Sequence, residues 1–146
     1  MEWPPTEPGH LDLFSGERGV ARSHRTMGGG WSLCFDIEHS PAEDLRDHSL
    51  REELRWLIEQ GAFVFGGGGP VCSSFSTAIT PPVRSLLEPY GKKELKGDML
   101  EKVAAGNEMS IWFFGLLRTA LRCGLVVWIE NPAGSCISNC PSFKTF

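Results

Sequence analysis

The sequence has no apolar run approaching the roughly 20 residues that a membrane-spanning helix requires, so no membrane partner is expected. Its N-terminus carries Glu2, Pro4, Pro5 and Glu7 and lacks the basic-then-apolar pattern of a secretory signal. A cytoplasmic or nuclear setting is the expectation. An even cysteine set is missing too. The five cysteines include Cys34, Cys72 and Cys123 in or beside apolar segments, which argues for reduced thiols over a disulfide framework. Cys136 and Cys140 have no second ligand pair at suitable spacing, so no metal site is expected. An excess of positive charge is missing as well. With a net charge of −4, no strong overall field draws the chain to nucleic acid, and a DNA contact has to be local or supplied by another chain. No internal repeat or long low-complexity tract is visible.

What is present is a globular composition, 41% hydrophobic and 22% charged, at a length of 146 residues that suits one domain with a real core. After an extended, proline-rich lead over residues 1–9, strand and helix signals alternate, which predicts an α/β fold: a mostly parallel sheet with helices on its faces. The expected elements are a strand over Leu11–Phe14, a short helix over Val20–Met27 and a second strand over Trp31–Ile37. A covering helix follows over Leu50–Gln60, with Leu50, Leu54, Leu57 and Ile58 on one face. Next come a buried strand over Ala62–Phe65, an apolar helix from about Glu108 to Cys123 and a last strand over Leu125–Ile129. A further strand near Asp44 is possible, though the stretch is too polar to assign it, and residues 133–146 show loop chemistry.

A nucleotide-type cofactor held at the carboxyl ends of parallel strands needs a glycine turn after the first strand. It also needs an acidic residue after the second, to accept hydrogen bonds from the ribose hydroxyls. Gly16 and Gly19 supply such a turn and Asp36 stands about twenty residues on, with Ile37 beside it to pack on an adenine face. The turn reads Phe-Ser-Gly-Glu-Arg-Gly and not G-x-G-x-x-G, which favours S-adenosylmethionine over a dinucleotide. The plainer alternative is that Gly16 only turns the chain and Asp36 only caps a helix.

A second constellation carries chemistry. Carbon 5 of cytosine is too poor a nucleophile to take a methyl group directly, whereas a thiolate adding at carbon 6 makes carbon 5 an enamine that can. That chemistry needs a cysteine on a strand-to-loop turn and a carboxyl group from an adjacent strand. Cys72, in Gly-Pro-Val-Cys-Ser-Ser-Phe-Ser, and Glu130, in Ile-Glu-Asn-Pro, suit those places, with Asn131 and Pro132 fixing the turn that aims Glu130. Ser73, Ser74 and Ser76 could contact phosphate or sugar. The alternatives are a small buried hydrophobe at Cys72 and a surface pair with an arginine at Glu130.

With these residues in view, the chain resembles the catalytic domain of the cytosine-5 DNA methyltransferase family. LDLFSGERG resembles the family's first cofactor motif, FDIE at 35–38 its second, GPVCSSFS its Pro-Cys motif and IENP its Glu-Asn-Val motif. The likeness spans roughly Leu11 to Pro132. It implies a three-layer, Rossmann-like methyltransferase fold in which Asp12, Phe14, Gly16, Gly19, Asp36, Ile37 and Pro70 hold S-adenosylmethionine and Asp44 reaches the adenine amino group. Cys72 would be the nucleophile, with Glu130 and Asn131 at the ring. The loop carrying Thr80, Arg84, Lys92 and Lys93 resembles the mobile loop that closes over a flipped base.

Three departures stand out. Val71 separates Pro70 from Cys72, and Pro132 stands where the family usually has valine. The family's arginine motif, target recognition domain and C-terminal helix have no counterpart. The expectation is therefore a C-terminally truncated fragment, a subunit awaiting a complementing partner, or a silent module that binds S-adenosylmethionine or DNA without turnover. An RNA cytosine methyltransferase is a further alternative, because base-reading residues would lie in the absent part.

Overall fold

The computed structural model describes residues 7–70, 73–76 and 78–146. Its elements are β1 (Gly9–Leu13), α1 (Gly19–Thr26), β2 (Ser32–Phe35), a 3₁₀ turn (Pro41–Glu43), α2 (His48–Glu59) and β3 (Phe63–Gly68). They are followed by α3 (Gly97–Arg122), β4 (Val126–Ile129), a second 3₁₀ turn (Cys136–Asn139) and α4 (Pro141–Lys144). The fold is α/β, compatible with a Rossmann-like arrangement. All four strands run parallel, in the order β2-β1-β3-β4. By contacts the chain divides into two compact units, one reaching to Gly69 and including Leu116–Ile129, the other Pro70–Gly115 with Glu130–Phe146.

The first unit holds the sheet. β1 is buried along its whole length, as an inner strand flanked by β2 and β3 must be. Its alternate residues Leu11 and Leu13 are apolar while His10 and Asp12 are polar, so one buried side of this strand carries ionisable groups. β1 begins two residues before the expected Leu11 and ends before Phe14, whose φ of 56° takes it out of the strand. β2 likewise stops at Phe35, leaving Asp36 just beyond the strand end.

The larger correction is β3. Expected to end at Phe65, it continues through Gly66, Gly67 and Gly68, opposite Leu11, Asp12 and Leu13 of β1. A Cβ at Gly67 would strike the Trp128 carbonyl and one at Gly68 the Leu13 carbonyl, so these glycines let neighbouring backbones close up. α2 packs Leu54, Leu57 and Ile58, as its spacing predicts, and Asp47 caps it by accepting from the N–H groups of Ser49 and Leu50.

In the second unit, α3 starts at Gly97, well before the expected Glu108. Its early Lys and Glu side chains are exposed and Val103 is buried, so a solvated charged face hides a helix whose first turn carries a favourable Asp98. Phe75, Val83, Phe113, Phe114 and Ile137 form this unit's core, and the Phe114 ring meets that of Phe143 edge-on at 5.3 Å. The last residues, expected as loop, form two short helical turns started by the Ser135 hydroxyl and by Pro141. Cys136 and Cys140 are buried there, and burial pushes the Cys140 thiol up to about 11. Among the described residues no helix is long and apolar enough to cross a membrane.

Candidate active site

In a parallel sheet, ligands bind outside the carboxyl ends of the strands, where connections leave to opposite sides. Here that place is the end of β1, because the chain goes from β1 to β2 on one side and then returns to β3 on the other. The turn leaving β1 occupies this end. Phe14, Gly16 and Arg18 take positive φ values of 56°, 44° and 55°, and the Ser15 N–H reaches the Phe35 carbonyl at 3.1 Å. Gly16 meets the conformational requirement without the cost a Cβ would add. A Cβ at Gly16 or at Gly19, the first residue of α1, would meet nothing within 4 Å, so the space over the turn is open.

Asp36, at the end of β2, is bound into this turn. Its Oδ2 accepts the Gly16 N–H at 2.9 Å and its Oδ1 accepts the Glu38 N–H at 2.9 Å. An ionised carboxylate offers about four lone-pair sites, so both oxygens keep capacity for a further donor. Ile37 beside it is 48% exposed, free to cover a flat apolar ligand face.

Glu43 braces the same corner and was not expected from sequence. Its carboxylate accepts the Asp36 N–H at 3.0 Å and pairs with Arg18 at 3.0 Å, tying the N-cap residue of α1 to the end of β2. The signal was present as Ser40-Pro41-Ala42-Glu43, a capping-box pattern, and Ser40 does cap its 3₁₀ turn. The His39 ring also contacts the Gly16 carbonyl.

Beneath the turn lies Asp12, 1% exposed. Burial pushes its carboxyl up to about 6; a hydrogen bond from the Ala21 N–H opposes the shift and the nearby Asp36 charge adds to it. Its Oδ2 is buried without a hydrogen-bond partner. On the same strand His10 is fully buried against Phe65, ring centroids 4.9 Å apart, and burial with the neighbouring His24 lowers its imidazole to about 4.

The structure therefore brings Asp12, Gly16 and Asp36 together, with Phe14, Gly19 and Ile37 around the same turn. Asp44 follows the 3₁₀ turn, and its carboxylate is gripped by the Arg46 guanidinium at 2.8 Å, which holds it below the usual carboxylate range. Cys72 and Val71 lie outside the described residues. Pro70, Glu130 and Asn131 belong to the second unit. Pro70 is buried, Glu130 is exposed directly after β4, and both ends of the half-buried Asn131 amide lack a hydrogen-bond partner.

Two expectations about the loop following Cys72 are corrected. Arg84, grouped by resemblance with a mobile loop, is 5% exposed in the interior of the second unit. The Ser74 hydroxyl, a candidate phosphate or sugar contact, is buried and accepts from Arg84 at 2.8 Å. No family model, curated protein or solved structure matches the chain.

Proposed function

We propose that the chain is an S-adenosylmethionine-dependent enzyme core that methylates carbon 5 of cytosine in DNA through a covalent Cys72 adduct. The observation that carries this reading is the bond from the Gly16 N–H to Asp36, which joins the turn after β1 to an acidic group after β2 beneath open space. The residues suit the cofactor. Asp36 offers lone pairs to the two ribose hydroxyls, Ile37 an apolar face to the adenine, and the buried Asp12 an unpartnered oxygen. Bound there within a three-layer methyltransferase fold, S-adenosylmethionine would supply the methyl group to carbon 5, its sulfonium–methyl bond breaking to leave the thioether S-adenosylhomocysteine.

Cys72 and Glu130 perform the ring chemistry. In the chain they follow β3 and β4, which are hydrogen-bonded neighbours with Gly68 opposite Ile129. The Cys72 thiol gives its proton to water, and the thiolate adds to carbon 6, forming the S–C bond as the ring double-bond electrons move toward carbon 5. Glu130 holds a proton at ring nitrogen 3 meanwhile. After carbon 5 is methylated and its proton passes to water, the S–C bond breaks and Cys72 leaves as thiolate. At a net charge of −4 the surface that holds the nucleic acid is either local or supplied by a complementing protein subunit.

The test is incubation with S-adenosylmethionine and an oligonucleotide carrying 5-fluorocytosine, in DNA and RNA versions, with and without a supplied C-terminal half carrying a recognition domain. The expected product is a denaturation-resistant adduct on the DNA version that Cys72→Ser abolishes. An adduct on RNA alone changes the substrate, and cofactor binding with no adduct on either, even with the complementing half supplied, makes the chain a silent binding module.

A further inference from the structure

Arg84 is a buried cation whose partners among the described residues are all neutral. Its five N–H groups each have an acceptor. Nε donates to the Ser74 carbonyl at 2.8 Å, one terminal nitrogen donates to the Pro89 carbonyl and Asn107 Oδ1, both at 2.6 Å, and the other donates to Ser74 Oγ at 2.8 Å and the Val103 carbonyl at 3.1 Å. The guanidinium also lies over the Phe75 ring, 3.7 Å from its centroid. Asn107 is fixed in turn, since its Nδ2 donates to the Tyr90 carbonyl at 2.8 Å.

Burying a charge among dipoles is costly, and an apolar side chain would fill the same space more cheaply. What an apolar side chain lacks is direction. The planar fork holds five acceptors in one arrangement, and two of them belong to Ser74. The rest of that turn is held from another side: the Phe75 carbonyl accepts the Cys136 N–H at 2.8 Å, and Ser76 forms an antiparallel bridge with Ser135. α3 admits the turn through Gly106, where a Cβ would come within 2.5 Å of Ser74 Oγ.

We infer that Arg84 is a positioning residue: it fixes the Ser73–Ser76 turn and acts on the reaction through that turn, never touching substrate. The catalytic part of this inference rests on the reading of Cys72 as nucleophile. Lysine keeps the charge but offers three donors from a single point, so Arg84→Lys cannot span the five acceptors.

Hydrogen exchange followed by mass spectrometry tests the inference on the full chain. Arg84→Lys is expected to speed exchange at least tenfold in peptides covering Ser73–Ser76 and Cys136 while leaving β1 and β3 as in the parent protein. Adduct formation on the 5-fluorocytosine oligonucleotide should lose at least tenfold in maximal rate, with cofactor affinity held within twofold. Gly106→Ala, whose Cβ comes within 2.5 Å of Ser74 Oγ and 3.2 Å of the Arg84 terminal nitrogen bonded to it, should give the same pattern and serves if Arg84→Lys does not fold. Parent-like exchange at Ser73–Ser76 in a folded Arg84→Lys, or in Gly106→Ala where the first variant is unfolded, overturns the inference, as does an unchanged maximal rate. Absence of an adduct with the parent protein refutes the proposed chemistry instead, and the exchange pattern then decides the role of Arg84 by itself.

Discussion

His10 and Asp12 should impose opposite pH dependences on stability, and removing either should expose the other. Burial holds the Asp12 carboxyl at about 6 against an ordinary 3.8, so the folded chain binds this proton more readily than the unfolded one. Its stabilising contribution is complete below pH 3.8 and is lost as pH rises through about 6. His10 is shifted the other way, to about 4 from 6.5, so its contribution is present above pH 6.5 and is lost as pH falls through about 4. At about 1.4 kcal/mol for each tenfold change in proton affinity, each effect is worth roughly 3 kcal/mol, and over pH 4–6.5 they nearly cancel. Asp12→Asn removes the first term and keeps a neutral acceptor for the Ala21 N–H; His10→Gln removes the second. Urea denaturation from pH 4 to 8, followed by tryptophan fluorescence, should show Asp12→Asn losing stability on acidification relative to the parent protein and His10→Gln gaining it. Profiles of both variants parallel to the parent would refute the reasoning.

Two further outcomes concern the sheet and its cover. Gly68→Ala, which drives a Cβ into the Leu13 carbonyl, should destabilise the chain by roughly 3 kcal/mol or more, because a strand backbone cannot step aside as a side chain can; chemical denaturation measures this. Leu54→Ala in the fully buried face of α2 should cost about 2–5 kcal/mol by the same measurement and leave the residues around Gly16 unmoved.

The parts that were legible in sequence are those whose local pattern and tertiary role agree. The Leu54-Leu57-Ile58 spacing gave α2, and the glycine turn with Asp36 pointed to two segments that a hydrogen bond joins. Local propensity misled where tertiary packing overrides it. The run of glycines after Phe65 does not read as strand, yet β3 continues through it and needs Gly67 and Gly68, where neighbouring backbones approach too closely for a Cβ. The helix is expected only from about Glu108 because the charged, exposed residues that begin α3 carry little apolar pattern. Glu43 was not legible because its bonds run to Arg18 and Asp36, distant in sequence, and Arg84 groups with a mobile loop because nothing local distinguishes a buried arginine from a surface one.

The most direct test is calorimetric titration of S-adenosylmethionine into the full chain and into Asp36→Ala. Charge-assisted bonds from the two ribose hydroxyls to the carboxylate predict binding that weakens by roughly 2–3 kcal/mol in the variant, with circular dichroism unchanged. No heat of binding from the parent protein, or equal affinity in a folded Asp36→Ala, would contradict the assignment of the open space over Gly16 as the cofactor site.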